Sequence, residues 1–157
     1  EEDIAVAELK QEQDKLWKLR RVIGEAVKMG SIYKEVDTVV PRNTLPELLL
    51  MVKKIGEKYG FKTICYGHAG DGNLHVNILK EGLTDLEWSE EVPKGIKEIF
   101  QFVVEMGGTI SAEHGIGLVQ KNYIPIVFST ETMNLMKSIK NTFDPKGILN
   151  PGKIWPD

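Results

Sequence analysis

Three histidines, His68, His75 and His114, and one glutamate, Glu113, are the residues of this chain whose types and spacing point to chemistry. His68 and His75 flank Gly70-Asp71-Gly72-Asn73, four residues that tolerate the positive φ of a tight turn. A hairpin turning at 70–73 sets Ala69 opposite Leu74, His68 opposite His75, Tyr66 opposite Asn77 and Cys65 opposite Ile78. Period-two alternation then gives one face of Cys65, Gly67, Ala69, Leu74, Val76 and Ile78, and a polar face of Tyr66, His68, His75 and Asn77. Directly opposed residues have Cβ atoms about 4.5 to 5.5 Å apart, close enough for two imidazoles to reach one ion.

His114 lies in Ser111-Ala112-Glu113-His114-Gly115-Ile116-Gly117, a glycine-flanked segment of the kind that often carries functional side chains. If Glu113 closes on the two hairpin histidines, the set becomes two imidazoles and a carboxylate with open positions. That set suits Zn²⁺ and also Mn²⁺ or Fe²⁺. His114 then stands beside the ion as a general base, because imidazole titrates near neutral pH. Taken singly, His68 or His75 reads more often as a hydrogen-bonded strand residue, and the turn is a good turn whatever its neighbours do. Their facing arrangement favours a shared site. Cys65, on the apolar face, reads as packing. Arg20 and Lys34 read by composition as solvated charges.

The elements that must position these residues follow from periodicity. Leu16, Leu19, Ile23, Ala26 and Val27 recur at helical spacing within 8–29, with Gly30 as a stop. The β-branched run 31–40 closes at Pro41 and predicts a strand. With Asn43 or Thr44 as N-cap, Leu45, Leu48, Leu49, Val52, Ile55 and Tyr59 predict a second helix ending at Gly60. The hairpin occupies 62–69 and 74–80. Residues 81–93, polar and holding Gly82 and Pro93, predict a loop. Ile96, Ile99, Phe100 and Val103 predict a third helix, 109–111 a short strand, and Thr130 the cap of a last helix carrying Met133, Met136, Ile139 and Phe143. This order predicts an α+β fold, an antiparallel sheet covered by helices on one face, in one domain.

Composition narrows the classes. The 157 residues are 41% hydrophobic and 27% charged, the balance of one ordinary core-forming domain. A formal net charge of -3 gives no positive field to hold nucleic acid. No run approaches the roughly 18 to 20 apolar residues of a spanning helix, and Glu1-Glu2-Asp3 is the wrong chemistry for a signal peptide. With one cysteine and no internal disulfide, the expected setting is cytoplasmic, with a peripheral membrane association as the variant.

YGHAGDGNLHVNIL (66–79), GGTISAEHGIG (107–117) and FDPKGILNPGK (143–153) resemble, in this order, the C-terminal cap domain of FAD-linked oxidases, the group of glycolate oxidase flavoprotein subunits, D-lactate dehydrogenases and D-2-hydroxyglutarate dehydrogenases. VDTVVPRNTLPELL (36–49) looks most like the glycolate oxidase and lactate dehydrogenase branch. The resemblance implies a ferredoxin-like antiparallel sheet, His68, His75 and Glu113 as ligands of a divalent metal, and His114 as the base that takes the hydroxyl proton of a small 2-hydroxy acid while hydride leaves for FAD. It implies substrate contacts for Asn77, Arg20 and Lys34, with Tyr33 nearby, and a flavin-side place for Asn150. It also implies that 1–157 is a substrate- and metal-binding fragment, with FAD held mainly by an N-terminal domain that this chain does not contain. The surface toward that domain is then exposed and promotes a homo-oligomer, and electron-transfer subunits join the partners. The alternatives outside this class are a His/His/Glu metallohydrolase, against which the absence of an HExxH helix argues, and a non-catalytic interaction domain.

Overall fold

The computed structural model describes residues 6–156. Helix α1 spans Lys10–Gly30, strand β1 Tyr33–Val39, helix α2 Leu45–Tyr59, strand β2 Lys62–His68, strand β3 Asn73–Leu79, helix α3 Asp85–Glu105 and helix α4 Thr130–Phe143. Strand β3 lies between β1 and β2 and runs antiparallel to both. β1 and β2 are therefore parallel to each other, and α2 crosses over between them in a split β-α-β unit that the β2–β3 hairpin closes. Beyond β1 the expected short strand is reduced to one bridge, in which Val39 and Thr109 exchange two backbone hydrogen bonds of 2.9 and 3.2 Å. Gly108 allows this approach, since a Cβ there would stand 2.2 Å from the Val39 carbonyl oxygen.

The core joins one face of the sheet, Val36, Leu74, Val76 and Ile78, to Leu48, Val52 and Ile55 of α2 and to Val92, Ile96, Ile99, Phe100 and Val103 of α3. Burying these side chains is the principal stabilising term of the domain, each full burial contributing about 1.5 to 3 kcal/mol. The fold is the expected α+β layer, with α2 and α3 on this face. Helix α2 ends as its sequence requires: Gly60 takes the left-handed conformation, φ 75°, and its N–H donates to the Gly56 carbonyl.

Three local expectations are corrected. The segment 81–93 is not all loop, because Thr84 and Glu87 form a reciprocal capping box, with Thr84 N–H donating to Glu87 Oε2 at 2.8 Å and Glu87 N–H to Thr84 Oγ1 at 3.2 Å. Helix α3 starts there and runs through Pro93. Ser129, rather than Thr130, caps α4. The hairpin register is shifted by two: His68 faces Asn73, Tyr66 faces His75, Ile64 faces Asn77 and Cys65 faces Val76. The loop is Ala69–Asp71, a 3-10 turn, plus Gly72 at φ 73°. Asn73 is drawn into the strand because its buried amide donates to Asp37 Oδ1 at 2.7 Å and to the Thr38 carbonyl at 2.9 Å. A shift by two preserves the faces, so His68 and His75 still share the polar side.

Candidate metal and substrate site

Because β1 pairs with β3, the polar face gains two carboxylates beside the histidines: Glu35 stands opposite Asn77, and Asp37 opposite His75. Helix α1 crosses above this face, where Gly24 lets the chain approach the Tyr66 hydroxyl; a Cβ would lie 3.4 Å from it. The segment 111–115 closes the site from the end of the sheet. Its anchor is Asp37, fully buried, whose Oδ2 accepts the backbone N–H groups of Ala112, Glu113 and His114 at 2.9, 2.7 and 2.8 Å. Burial pushes the Asp37 carboxyl up, but these three N–H groups and the Asn73 amide outweigh it and leave the carboxyl below its ordinary value.

Held this way, Glu113 turns one oxygen into the middle of the three imidazoles. Its Oε1 lies 3.4 Å from His75 Nε2, 3.7 Å from His114 Nε2 and 3.8 Å from His68 Nε2. The His75 and His114 rings stack at 4.9 Å between centroids, and His68 meets His75 edge-on at 5.7 Å. The diagonal placement of His68 and His75 thus achieves the convergence that direct opposition was expected to give.

The donor set fits a divalent ion. Ligand atoms bound at 2.0 to 2.2 Å in a tetrahedron are about 3.3 to 3.6 Å apart, which is the range of the His75–Glu113 distance. Two triplets, His68 with His75 and Glu113, and Glu35 with His75 and His114, each offer ligand atoms within 4.8 Å of one another. His75 Nδ1 is buried without a hydrogen-bond partner among the described residues, yet lies 3.5 Å from Asp37 Oδ1 and 3.6 Å from Glu35 Oε1. That carboxylate side is where the ring N–H of a metal-binding histidine belongs, leaving Nε2 for the ion. His68 needs one adjustment. Arg20 Nη2 stands 3.1 Å from His68 Nδ1, and a guanidinium only donates, so Nδ1 is the acceptor and Nε2 carries the proton. Coordination through Nε2 requires the guanidinium to move off the ring.

Arg20, Arg21, Ile23 and Gly24 of α1 wall a cavity of about 310 Å³ together with Tyr66, Gly67, His68 and His75. It opens onto the imidazoles and offers two cationic groups, the recognition chemistry of a carboxylate. Asn77 is buried on the same face, donating weakly to the Ile64 carbonyl at 3.4 Å while its Oδ1 has no partner among the described residues.

Two expected residues lie elsewhere. Lys34 is on the opposite face of the sheet, where its ammonium donates to the Trp88 carbonyl at 2.8 Å and sits over the Trp88 ring; one position of strand parity separates it from Glu35. Tyr33 has the right parity but faces Leu79 at the far end of β1. Asn150 stands at φ 48° among the residues that wall a second cavity, between α4 and the C-terminal arm, of about 450 Å³. Its Oδ1 accepts from Lys153 Nζ at 2.8 Å. Cys65 packs against the core, and burial pushes its thiol to about 11, so it is no nucleophile at neutral pH. Glu35, Asp37 and Asn73 were missed by sequence reasoning. The alternation Glu35-Val36-Asp37 was the signal for a polar face on β1, but nothing in the chain's own pattern says which strand β1 borders.

Comparison with known proteins agrees with this architecture. The family described as FAD linked oxidases, C-terminal domain, matches residues 1–154. The chain is 38% identical over 156 residues to D-2-hydroxyglutarate dehydrogenase of Stutzerimonas stutzeri, covering 98% of this chain and 33% of that protein. It is 38% identical over 153 residues to D-lactate dehydrogenase of Archaeoglobus fulgidus, covering 97% and 33%. Against glycolate oxidase subunit GlcD of Escherichia coli the identity is 34% over 155 residues, covering 98% and 31%. The chain spans about a third of the length of these relatives. It belongs to the family of C-terminal domains of FAD linked oxidases.

Proposed function

We propose that this chain is the substrate- and metal-holding part of an FAD-dependent 2-hydroxy acid dehydrogenase of the glycolate oxidase type, the alternative being a D-lactate dehydrogenase of the same family. The observation that carries the reading is the convergence of three imidazole nitrogens on Glu113 Oε1 beside a cavity walled by Arg20 and Arg21. The names of the relatives, a D-2-hydroxyglutarate dehydrogenase, a D-lactate dehydrogenase and a glycolate oxidase subunit, support a 2-hydroxy acid as the substrate class. A methylene in a pocket is worth only about 1 to 3 kcal/mol, so glycolate and lactate are separated by measurement rather than by a motif.

His68, His75 and Glu113 would hold the divalent ion, Zn²⁺ first and Mn²⁺ or Fe²⁺ as variants. When bound, it supplies positive charge that lowers the cost of ionising the substrate hydroxyl. FAD, held mainly by a further domain, supplies the two-electron acceptor. The chain's own residues do the rest. Arg20, released from His68, pairs with the substrate carboxylate. Asn77 Oδ1, buried and free of donors among the described residues, accepts from the substrate side. His114 takes the hydroxyl proton on an imidazole nitrogen, and Glu35, 3.9 Å from its Nδ1, faces the charge that this creates. A surface patch toward the FAD domain, electron-transfer partners and a cytoplasmic setting complete the proposal; no described helix is long and apolar enough to cross a membrane.

The test is flavin content, metal content and dye-linked oxidation of glycolate and D-lactate by the longer protein that carries this chain, compared between wild type and His114→Ala. Bound FAD, about one metal per chain and turnover lost without loss of flavin are expected. A protein without flavin, or a variant with full turnover, overturns the reading.

A further inference from the structure

The segment 111–117 that carries Glu113 and His114 belongs to no helix or strand. Both side chains are half-exposed, 54% for Glu113 and 44% for His114, so packing does little to hold them. What fixes them is their backbone. Three consecutive N–H groups, of Ala112, Glu113 and His114, converge on Oδ2 of Asp37 at 2.9, 2.7 and 2.8 Å, with the Ser111 hydroxyl at 3.4 Å. Ser111 Oγ in turn accepts the Gly115 N–H at 2.8 Å, closing the segment on itself. The other oxygen of Asp37 faces the hairpin: Oδ1 accepts from Asn73 Nδ2 at 2.7 Å and lies 3.5 Å from His75 Nδ1.

We propose that Asp37 is the positioning residue of this site, a buried carboxylate that sets Glu113 and His114 through one oxygen and the hairpin histidine through the other. The inference rests on the functional reading above only for what the positioned groups do. The choice of Asp follows from physics. Three donors aimed at one oxygen demand an ionised acceptor, since charge-assisted hydrogen bonds are roughly twice as strong as neutral ones. The carboxylate also sits on β1, the strand that both pairs with β3, setting Asp37 opposite His75, and bridges through Val39 to Thr109 at the entry to the segment. Asparagine keeps the shape but loses the charge, so it weakens the three converging bonds while leaving the sheet intact.

The experiment uses the 157-residue chain and its Asp37→Asn variant. Amide hydrogen exchange is read at Ala112, Glu113 and His114 and, as a control, at Val36 and Val76 in the sheet. Co²⁺ titration followed by visible absorption, with Zn²⁺ competition, gives affinity and a coordination signature that global stability does not move. Expected are exchange at least about tenfold faster at 112–114 with the sheet amides unchanged, and Zn²⁺ binding about 10 to 100-fold weaker. Unchanged exchange at 112–114 overturns the proposal, and so does faster exchange with Zn²⁺ affinity and the Co²⁺ spectrum unaltered. If the wild-type chain binds neither ion, the metal reading fails, and exchange alone decides whether Asp37 positions the segment. Should Asp37→Asn not fold, Asn73→Ala removes one donor to the same carboxylate. A several-fold change in the same readouts is expected from it, and none overturns the proposal.

Discussion

Glu113 Oε1 with three imidazole nitrogens within 3.8 Å is the feature on which the proposed chemistry rests. In the assembled, flavin-loaded protein His114→Ala is expected to lower kcat by about 10² to 10⁴-fold, the usual worth of a general base, with flavin and metal content retained. Stopped-flow flavin reduction checks it, and an unaffected rate removes His114 from the chemical step. Asp37 gives a pH dependence whose sign is set by its lowered carboxyl. Its ordinary value is 3.8 and the folded value lies below that, so its contribution is complete above 3.8 and is lost as pH falls through the folded value. The amides of 112–114 are therefore expected to keep their protection at pH 5 and lose it well below pH 3.8, measured by hydrogen exchange against the sheet amides. Loss of protection already near pH 6 would point to a different anchor.

At the scale of elements, the hairpin register decides what the polar face presents. Gly72 is the hinge of that register: at φ 73° it favours glycine, and a Cβ would stand 2.0 Å from the Val40 carbonyl oxygen, whose own N–H donates to the Gly72 carbonyl. Gly72→Ala is expected to destabilise by more than the roughly 1 to 2 kcal/mol of left-handed backbone strain, because the backbone of 40–42 must also move. Chemical denaturation measures it, and a change within 0.5 kcal/mol, the scatter of neutral surface substitutions, would refute the contact. The capping box at the start of α3 makes a milder forecast: Thr84→Ala should cost about 1 kcal/mol, with Pro93 remaining inside the helix. A neutral Thr84→Ala, read by thermal melting, would mean that α3 is held by its core face alone.

The whole molecule is asymmetric in a way that bears on assembly. One face of the sheet is sealed by α2 and α3, whereas α1 leaves Leu16, Trp17 and Leu19 52 to 60% exposed, and α4 leaves Phe143 80% exposed beside an apolar cavity lined by Met136, Ile139, Ile154 and Trp155. Large apolar side chains left this exposed on a helix are candidates for coverage by another surface. The 157-residue chain is therefore expected to elute above its 17.7 kDa in a concentration-dependent way, and Trp17→Glu with Phe143→Glu to shift it toward the monomer. Light scattering after gel filtration is the measurement; a monomer at every concentration would mean that these helices tolerate water as they stand.

Much of this was legible in the chain itself. Period-two alternation separated Cys65 and Val76 from Tyr66, His68 and His75, and that division survives a register shift of two because the side-chain period is two. Helical spacing with Gly60 as a stop marked α2, and the three histidines and Glu113 singled out by type are the residues that the structure brings together. The turn residues alone could not set the register, since 70–73 and 69–72 are both acceptable turns, and the choice fell to Asn73, which gains a buried carboxylate and a carbonyl only when it enters the strand. Asp37, Glu35 and the approach of Arg20 belong to the tertiary structure for the same reason. Strand order and helix placement are set by how the apolar faces of separate elements pack together, and a local pattern contains no record of its distant neighbours.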